Sequence, residues 1–270
     1  MIDEILSNAP VFILIAVRAL AMIEVAPLLS SDSIPQTAKI ALAGFAAFAV
    51  FPTASMQSDW AALPGIQGGT FSLTFLLLII GEGIIGIIIG FFITIIFAAF
   101  STAGQFFSLQ MGFGASETFD PLSQIENPLL GQYLNLVAML TFIFIDGFHG
   151  LFLGGFWRSI QALNIVELIN GREEITRLMA SGLTRLFLDA IIISMPILGT
   201  LFLVSLATGL ISKAAPQINI LSEGFPISIT VAFLMLRAIL PFMVEGFSRI
   251  LESGFRSLEQ LYIMIGHQIQ

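Results

Sequence analysis

The sequence contains no cysteine among its 270 residues. Disulfide bonds, iron–sulfur clusters and thiolate-bound zinc sites are therefore excluded, while the redox compartment stays undetermined. Charged side chains are also scarce, at 10% of the chain against about 25% in typical soluble domains. The formal net charge of -8 argues against nucleic acid as a partner, because binding to phosphates needs a basic surface.

Apolar residues dominate what is present. They make up 57% of the chain, and the mean hydropathy is +0.98. So few charges cannot cover a water-facing surface, and the composition predicts an integral membrane protein. The first residues, Met1-Ile2-Asp3-Glu4, are acidic and lack the basic region of a secretory signal peptide. We therefore expect the first apolar segment to be retained.

Six apolar segments are predicted as helices, since backbone groups in lipid must bond within their own segment. Ile40–Phe51 is too short to span a membrane without its flanks, and Phe71–Phe100 is longer than a span requires. Internal prolines, Pro196 and Pro241, predict bends. The fold class is thus all-α, a set of bent helical hairpins. The segments are Pro10–Leu29, Ile40–Phe51, Phe71–Phe100, Leu129–Ile145, Leu183–Ile211 and Phe225–Ile250.

Basic residues in the loops do not assign an orientation. The loops Pro52–Thr70 and Ser101–Pro128 contain none, whereas the stretch Asp146–Gly182 holds three arginines. Its second part, Glu167–Gly182, is interpreted as a short charged connection. Two explanations stay open: ten basic residues are too few to decide, or some apolar helices face protein rather than lipid. The C-terminal tail has an amphipathic pattern of coiled-coil type. Its apolar stripe predicts a helix that packs on a partner or on the rest of the chain, and it consists of Leu251, Phe255, Leu258, Tyr262 and Ile265.

A glycine pattern lies within the third segment. Gly81-Glu82-Gly83-Ile84-Ile85-Gly86 has the spacing of a dinucleotide motif, but it does not join a strand to a helix. The helical spacing instead places Gly83, Gly86 and Gly90 on one face with Thr94. Small residues on one face allow another backbone to approach closely, so these glycines are interpreted as helix-packing positions.

No catalytic constellation is visible. The sequence has no HExxH, GxSxG or P-loop motif and only two histidines, His149 and His267. We therefore predict no enzymatic activity, no cofactor and no metal site.

Ionisable residues in or beside apolar segments are costly in lipid and usually face protein or a watery path. Two interpretations stay open, a proton or substrate path and a set of interchain polar contacts, and the glycine-packed helices favour the contacts. Asp146 and His149 mark a segment end. The predicted interchain contacts are Arg18, Glu24, Glu82, Asp189, Lys213, Arg237 and Glu245.

The connection from Ser108 to Pro121 combines glycines with large apolar side chains. Such a loop survives at membrane depth only when it is buried in protein or lines a cavity. One interpretation is a buried structural connection, and the other is a pliable plug in a conduit. The predicted plug comprises Met111, Gly112, Phe113, Gly114, Ala115, Ser116, Glu117, Thr118 and Phe119.

Several ordered motifs resemble the FliR family of flagellar type III export-gate subunits. The resemblance covers essentially the whole chain. Its motifs are Ala26-Pro27-Leu28-Leu29-Ser30 with Ile34-Pro35 and Lys39, then Gly104–Gly112 running into Asp120-Pro121, then Asp146-Gly147 with His149, and finally Gly209–Asn219 with Gly224-Phe225-Pro226.

The resemblance implies a subunit of the cytoplasmic membrane and the flagellar basal body, without enzymatic activity. It would form a protein-conducting pore with FliP and FliQ, with FlhB around it and with axial rod proteins and FlhA nearby. Unfolded flagellar proteins would be the cargo, and membrane lipid a further contact. Residues 1–182 would resemble FliP, and 183–270 would resemble FliQ. In that family the loop at 108–121 helps to close the pore.

Three positions depart from the family pattern. Phe148 stands where a histidine is common, so a proton-handling role at this position is not expected. Lys213 replaces the usual arginine, and Glu117 brings a carboxylate into a normally apolar loop. Two alternatives stay open: the homologous injectisome subunit of a virulence secretion system and, more distantly, a secondary transporter.

Overall fold

The computed structural model describes residues 9–55, 73–112, 129–215 and 220–267. Within these ranges the secondary structure is helical, which confirms the all-α prediction, and every predicted apolar segment overlaps a helix. The helices are α1 (Ala9–Val25), α2 (Gln36–Ser55), α3 (Leu73–Met111), α4 (Leu129–Phe144), α5 (Gly147–Ala162), α6 (Ile165–Asn170), α7 (Arg172–Ala214) and α8 (Ile220–His267).

Local sequence explains several helix ends. Pro35 precedes α2 and accepts backbone hydrogen bonds from Ala38 and Lys39. At α6, Asn164 and Glu167 form a reciprocal capping box: the Asn164 side chain accepts from the Glu167 amide at 3.0 Å, and the Glu167 carboxylate accepts from the Asn164 amide at 2.5 Å. Helix α7 has Glu173 and Glu174 in its first turn and Lys213 in its last turn, positions that the helix dipole favours for these charges.

Three helices are longer than the apolar segments that were predicted for them. The short segment Ile40–Phe51 lies within the 20-residue α2. Helix α7 begins at Arg172, so the charged residues 172–182 belong to a helix of 43 residues rather than to a connection. Helix α8 joins the last apolar segment to the amphipathic tail in one run of 48 residues.

Two compact units divide the chain. The first contains Met1–Ile95, Asp146–Gly182 and Glu252–Gln270, and the second contains Ile96–Ile145 and Leu183–Leu251. Three of these boundaries fall inside helices. The proposed division into FliP-like residues 1–182 and FliQ-like residues 183–270 concerns likeness to other proteins and stays a prediction.

Each unit has its own apolar core. In the first, α1 buries Leu14, Ile15 and Met22, and α2 contributes Phe51, whose ring lies 6.1 Å from that of Phe12. The tail stripe also packs here: Leu251 belongs to the second unit, but Leu258, Tyr262 and Ile265 are buried in the first.

In the second unit the core combines aromatic rings with close backbone contact. The ring of Phe100 lies 3.9 Å from that of Phe247, and Phe97 packs edge-on against Phe142 at 5.5 Å. A Cβ placed on Gly104 would lie 2.5 Å from the Cα of Gly131. Helices α3 and α4 therefore cross with their backbones nearly in contact, which only small residues permit.

Candidate functional site

A buried arginine lies at the centre of the first unit. Arg18 on α1 is 0% exposed and Glu82 on α3 is 1% exposed, and the guanidinium donates to the carboxylate at 2.6 Å. Its other nitrogens donate to the Ser159 hydroxyl at 3.1 Å and to the Leu163 carbonyl oxygen at 2.7 Å. A buried ion pair is tolerated when further hydrogen bonds satisfy its remaining donors. The four residues therefore join α1, α3 and the end of α5.

The glycine face of α3 lies against the backbone of α1. A Cβ on Gly86 would overlap the carbonyl oxygen of Arg18, and one on Gly90 would lie 2.8 Å from the carbonyl oxygen of Met22. Thr94 continues this face, and its hydroxyl donates to the Val25 carbonyl at 2.8 Å. Gly83 is less crowded, with Val17 at 3.8 Å from its would-be Cβ. This close approach is what brings Glu82 within reach of Arg18.

The turn after α1 is held by a second ion pair. Lys39 is buried and donates to the Glu24 carboxylate at 3.0 Å and to the Ser30 carbonyl at 3.2 Å. Leu28, which lies between Glu24 and Ser30 in the sequence, has a φ of 68°, a left-handed conformation that non-glycine residues rarely adopt. The N-terminal motif residues thus form a turn that is held by the hydrogen bonds of Lys39.

Helix α5 contains a π-helix at Gly150–Trp157, preceded by Asp146 in the left-handed conformation. Three side chains brace this segment within the first unit. The buried Tyr262 hydroxyl donates to the Gly155 carbonyl at 3.0 Å, and Arg158 forms an ion pair with Glu259. The Trp157 ring nitrogen donates to the Thr53 hydroxyl at 3.3 Å. π-helices are rare, and the single-turn π-bulges within α-helices are frequently found at functional sites.

The remaining predicted polar residues have different surroundings. Asp189 is half-buried, whereas Lys213 and Arg237 are exposed. Glu245 pairs with Arg249 one turn later on the same exposed face of α8. The assignment to interchain contacts stays a prediction for the set; the structure adds that Arg18, Glu24 and Glu82 have partners within the chain.

At the predicted plug, the structure describes Met111 and Gly112. Met111 is 1% exposed and lies among apolar side chains that include Phe107 and Ile197. Gly112 has a φ of +89°, and a Cβ there would overlap the ring of Phe225. Both features favour glycine at the point where α3 ends. The other predicted plug residues, 113–119, lie outside the described residues, and their role stays a prediction.

Several structurally important residues were not predicted as site residues from the sequence, namely Ser159, Tyr262 and Trp157. Ser159 and Trp157 carry no local signal. Tyr262 belongs to the apolar stripe of the tail, and a tyrosine within such a stripe indicates a hydroxyl that needs a buried partner. Across the described ranges, no group of three or more carboxylates and histidines is arranged to hold a metal ion.

Three helical stretches are long and apolar enough to cross a membrane, Leu73–Met111, Arg172–Ala214 and Gly224–Ile265, and a fourth arises if the bent pair α4 and α5 counts as one span. Together with the buried ion pair and the glycine packing, they define the class: an all-α membrane protein.

The chain belongs to the family described as bacterial export proteins, family 1, which matches residues 9–254. The resemblance to the FliR family of type III export is thereby confirmed.

Similarity to individual relatives extends over most of the chain. The flagellar biosynthetic protein FliR of Bacillus subtilis is 26% identical over 98% of this chain and 99% of its own length. The flagellar biosynthetic protein FliR of Escherichia coli is 30% identical over 90% of this chain and 89% of its own. The surface presentation of antigens protein SpaR of Shigella sonnei is 26% identical over 57% of each chain.

Proposed function

We propose that this chain is a subunit of the flagellar type III protein export gate, without enzymatic activity of its own. It forms a protein-conducting pore with FliP and FliQ in the cytoplasmic membrane at the flagellar basal body. FlhB, FlhA and axial rod proteins are its neighbours, and unfolded flagellar proteins pass through the pore. The observation that carries the proposal is similarity to FliR along 98% of the chain.

The flagellar system is favoured over a virulence injectisome by how far each similarity extends. Two FliR relatives align with 90% or more of this chain, whereas the SpaR protein aligns with 57%. The injectisome alternative rests on that partial match. A flagellar operon around the gene supports the first assignment, and an injectisome operon supports the second.

The proposed mechanism is steric. The residues Met111–Phe119 occlude the pore and yield when other components drive an unfolded substrate through it. Two features support this: Met111 is buried among apolar side chains, and Gly112, with its positive φ, directly follows the last residue of α3. A methionine contact suits a seal that must open and repack, because the side chain is flexible and polarizable.

Affinity purification of the tagged chain from cells that express all candidate partners tests the assignment. We expect FliP and FliQ to travel with it in a large, defined particle. A homogeneous particle that contains this chain alone contradicts the proposal and supports the transporter alternative. For the plug, deletion of Gly112–Ala115 is expected to increase ion leakage across the membrane, and unchanged leakage with an intact complex refutes the steric mechanism.

A further inference from the structure

Helix α8 presents two different faces along residues 230–247. The inner face packs in the core of the second unit through Ala232, Leu236, Met243 and Phe247, all buried. The opposite side carries exposed residues at spacings of 4, 3 and 4. We call this the outer seam, and it consists of Thr230, Leu234, Arg237 and Pro241.

The outer seam is apolar except for one permanent charge. Leu234 is 62% exposed and the nearby Phe242 is 74% exposed, while the Thr230 hydroxyl donates to its own helix at the Pro226 carbonyl. Arg237 has no hydrogen bond or ion pair with any residue in the described ranges. Its guanidinium carries a positive charge and five donors, so an apolar surrounding leaves the charge and the donors unsatisfied.

No carboxylate of α8 reaches this guanidinium. Glu245 lies eight residues away, about 12 Å along the axis, and it already pairs with Arg249. In the other direction, the thirteen residues from Gly224 to Leu236 contain no charge. The arginine is therefore isolated within the apolar part of a helix that is long enough to cross a membrane.

We propose that the outer seam of α8 is a docking surface for an apolar helix of another subunit, which carries an aspartate or glutamate opposite Arg237. This inference rests on the proposed function and adds the chemistry of the partner. The 4-3-4 spacing is the one at which two helices interlock side chains, and the planar guanidinium matches a carboxylate with two parallel hydrogen bonds.

Two other occupants fit less well. Lipid tails offer no acceptor, so an arginine far from the helix end is costly there. A second copy of this chain on a two-fold axis would bring the same surface to itself. That surface contains no carboxylate, so neither Arg237 would gain a counterion and two like charges would lie within one apolar contact.

The test uses full-length tagged chain in cells that express the complete export gate. The variants are Arg237→Leu, Arg237→Lys and Arg237→Glu, with Arg249→Leu as the matched control because Arg249 is exposed and paired on its own helix. The measurement is the amount of FliP and FliQ recovered per tagged chain. We expect Arg237→Leu and Arg237→Glu to lower recovery at least about tenfold, because the partner carboxylate loses its counterion. Arg237→Lys retains more, and the control matches the unchanged chain.

A photo-crosslinking residue at position 234 then identifies the occupant. We expect an adduct on a helix with a carboxylate within one turn of the linked position, and replacement of that carboxylate by arginine restores recovery of Arg237→Glu. This rescue separates a lost contact from a misfolded variant. An adduct only with lipid, an adduct with a second copy, or normal assembly of Arg237→Leu overturns the inference.

The two proposals fail differently. If the unchanged chain and the Arg249→Leu control recover no FliP or FliQ, the export-gate assignment itself is wrong. The docking surface, which rests on that assignment, is then refuted as well. If both recover these partners and Arg237→Leu does so equally well, only the docking surface is refuted.

Discussion

Arg18 and Arg237 are both arginines within apolar helices, but they differ in burial and in hydrogen bonding. Arg18 is fully buried and donates to a carboxylate, a hydroxyl and a carbonyl within the first unit. Arg237 is exposed in the second unit and has no partner among the described residues. Sequence context alone does not separate them, because each arginine follows thirteen residues without a charge, at positions 5–17 and 224–236.

The difference shows where each charge acts. A buried pair that is completed within the chain affects the folding of that chain, since its removal leaves a charge in the core. We expect an arginine that has no acceptor among the described residues to affect assembly more than folding. Four predictions test this contrast, in order of decreasing effect.

The largest effect is expected from Arg18→Met. The Glu82 carboxylate would stay buried without a counterion, and the free energy of unfolding should fall by about 3–5 kcal/mol. Denaturant unfolding of the purified chain in detergent measures this. The double variant Arg18→Met with Glu82→Met should recover most of the loss, because both charges are then removed.

The control for this experiment is Arg177→Met. Arg177 also pairs with a glutamate, Glu173, but both side chains are nearly 80% exposed. Exposed pairs contribute about 0–1 kcal/mol. If Arg177→Met and Arg18→Met destabilise the chain equally, burial does not account for the difference between the two pairs.

The second prediction concerns the glycine face that brings α3 to α1. Gly86→Ala places a methyl group against the Arg18 carbonyl oxygen and 3.0 Å from the Met22 amide nitrogen. Backbone atoms cannot rotate away, so we expect a loss of about 1–3 kcal/mol in the free energy of unfolding. Gly44→Ala in α2 is the matched control, since nothing lies within 4 Å of its would-be Cβ. There we expect a gain of about 0.5–1 kcal/mol.

The third prediction tests the brace on the π-helix. Tyr262→Phe removes the hydroxyl that donates to Gly155 and leaves the ring in place. We expect a loss of about 0.5–1.5 kcal/mol and faster amide hydrogen exchange at residues 150–157. Tyr133→Phe is the control, because Tyr133 is the other tyrosine and is 38% exposed. Unchanged exchange in both variants means that the hydroxyl does not hold the segment.

The smallest effect is expected from Arg237→Leu in the isolated chain. Because no hydrogen bond or ion pair among the described residues is lost, the free energy of unfolding should stay within about 0.5 kcal/mol of the unchanged chain. Denaturant unfolding of the partner-free chain gives the value. A loss comparable to that of Arg18→Met contradicts the assignment of Arg237 to assembly.

Much of the architecture followed from hydropathy. Long apolar runs with few charges predicted helices, and each predicted segment overlaps one. Boundaries were less accurate at charged flanks: residues 172–182 were interpreted as a connection, yet they form the start of α7. Ile175 packs into the core, and the acidic residues in the first turn suit the helix dipole. Both effects extend the helix beyond its apolar part.

The candidate site followed only in part. Arg18, Glu24 and Glu82 were recognised as charges that need partners, because such groups are costly in an apolar setting. Their partners were not identified, since Glu82 lies 64 positions from Arg18 and Ser159 lies 141 positions away. The π-helix at Gly150–Trp157 gave no signal, because its composition is that of any apolar helix.

The sequence by itself determined the class, the family and the helical content, because composition, hydropathy and short ordered motifs are local properties of the chain. Only the tertiary structure decided which charged side chains find hydrogen-bond and ion-pair partners within the chain. Glu82 reaches Arg18 because Gly86 and Gly90 let two backbones approach, and Arg237 finds no such partner in the described residues. Ion pairing depends on distances of a few ångströms between residues far apart in the sequence, and these exist only once the helices have packed.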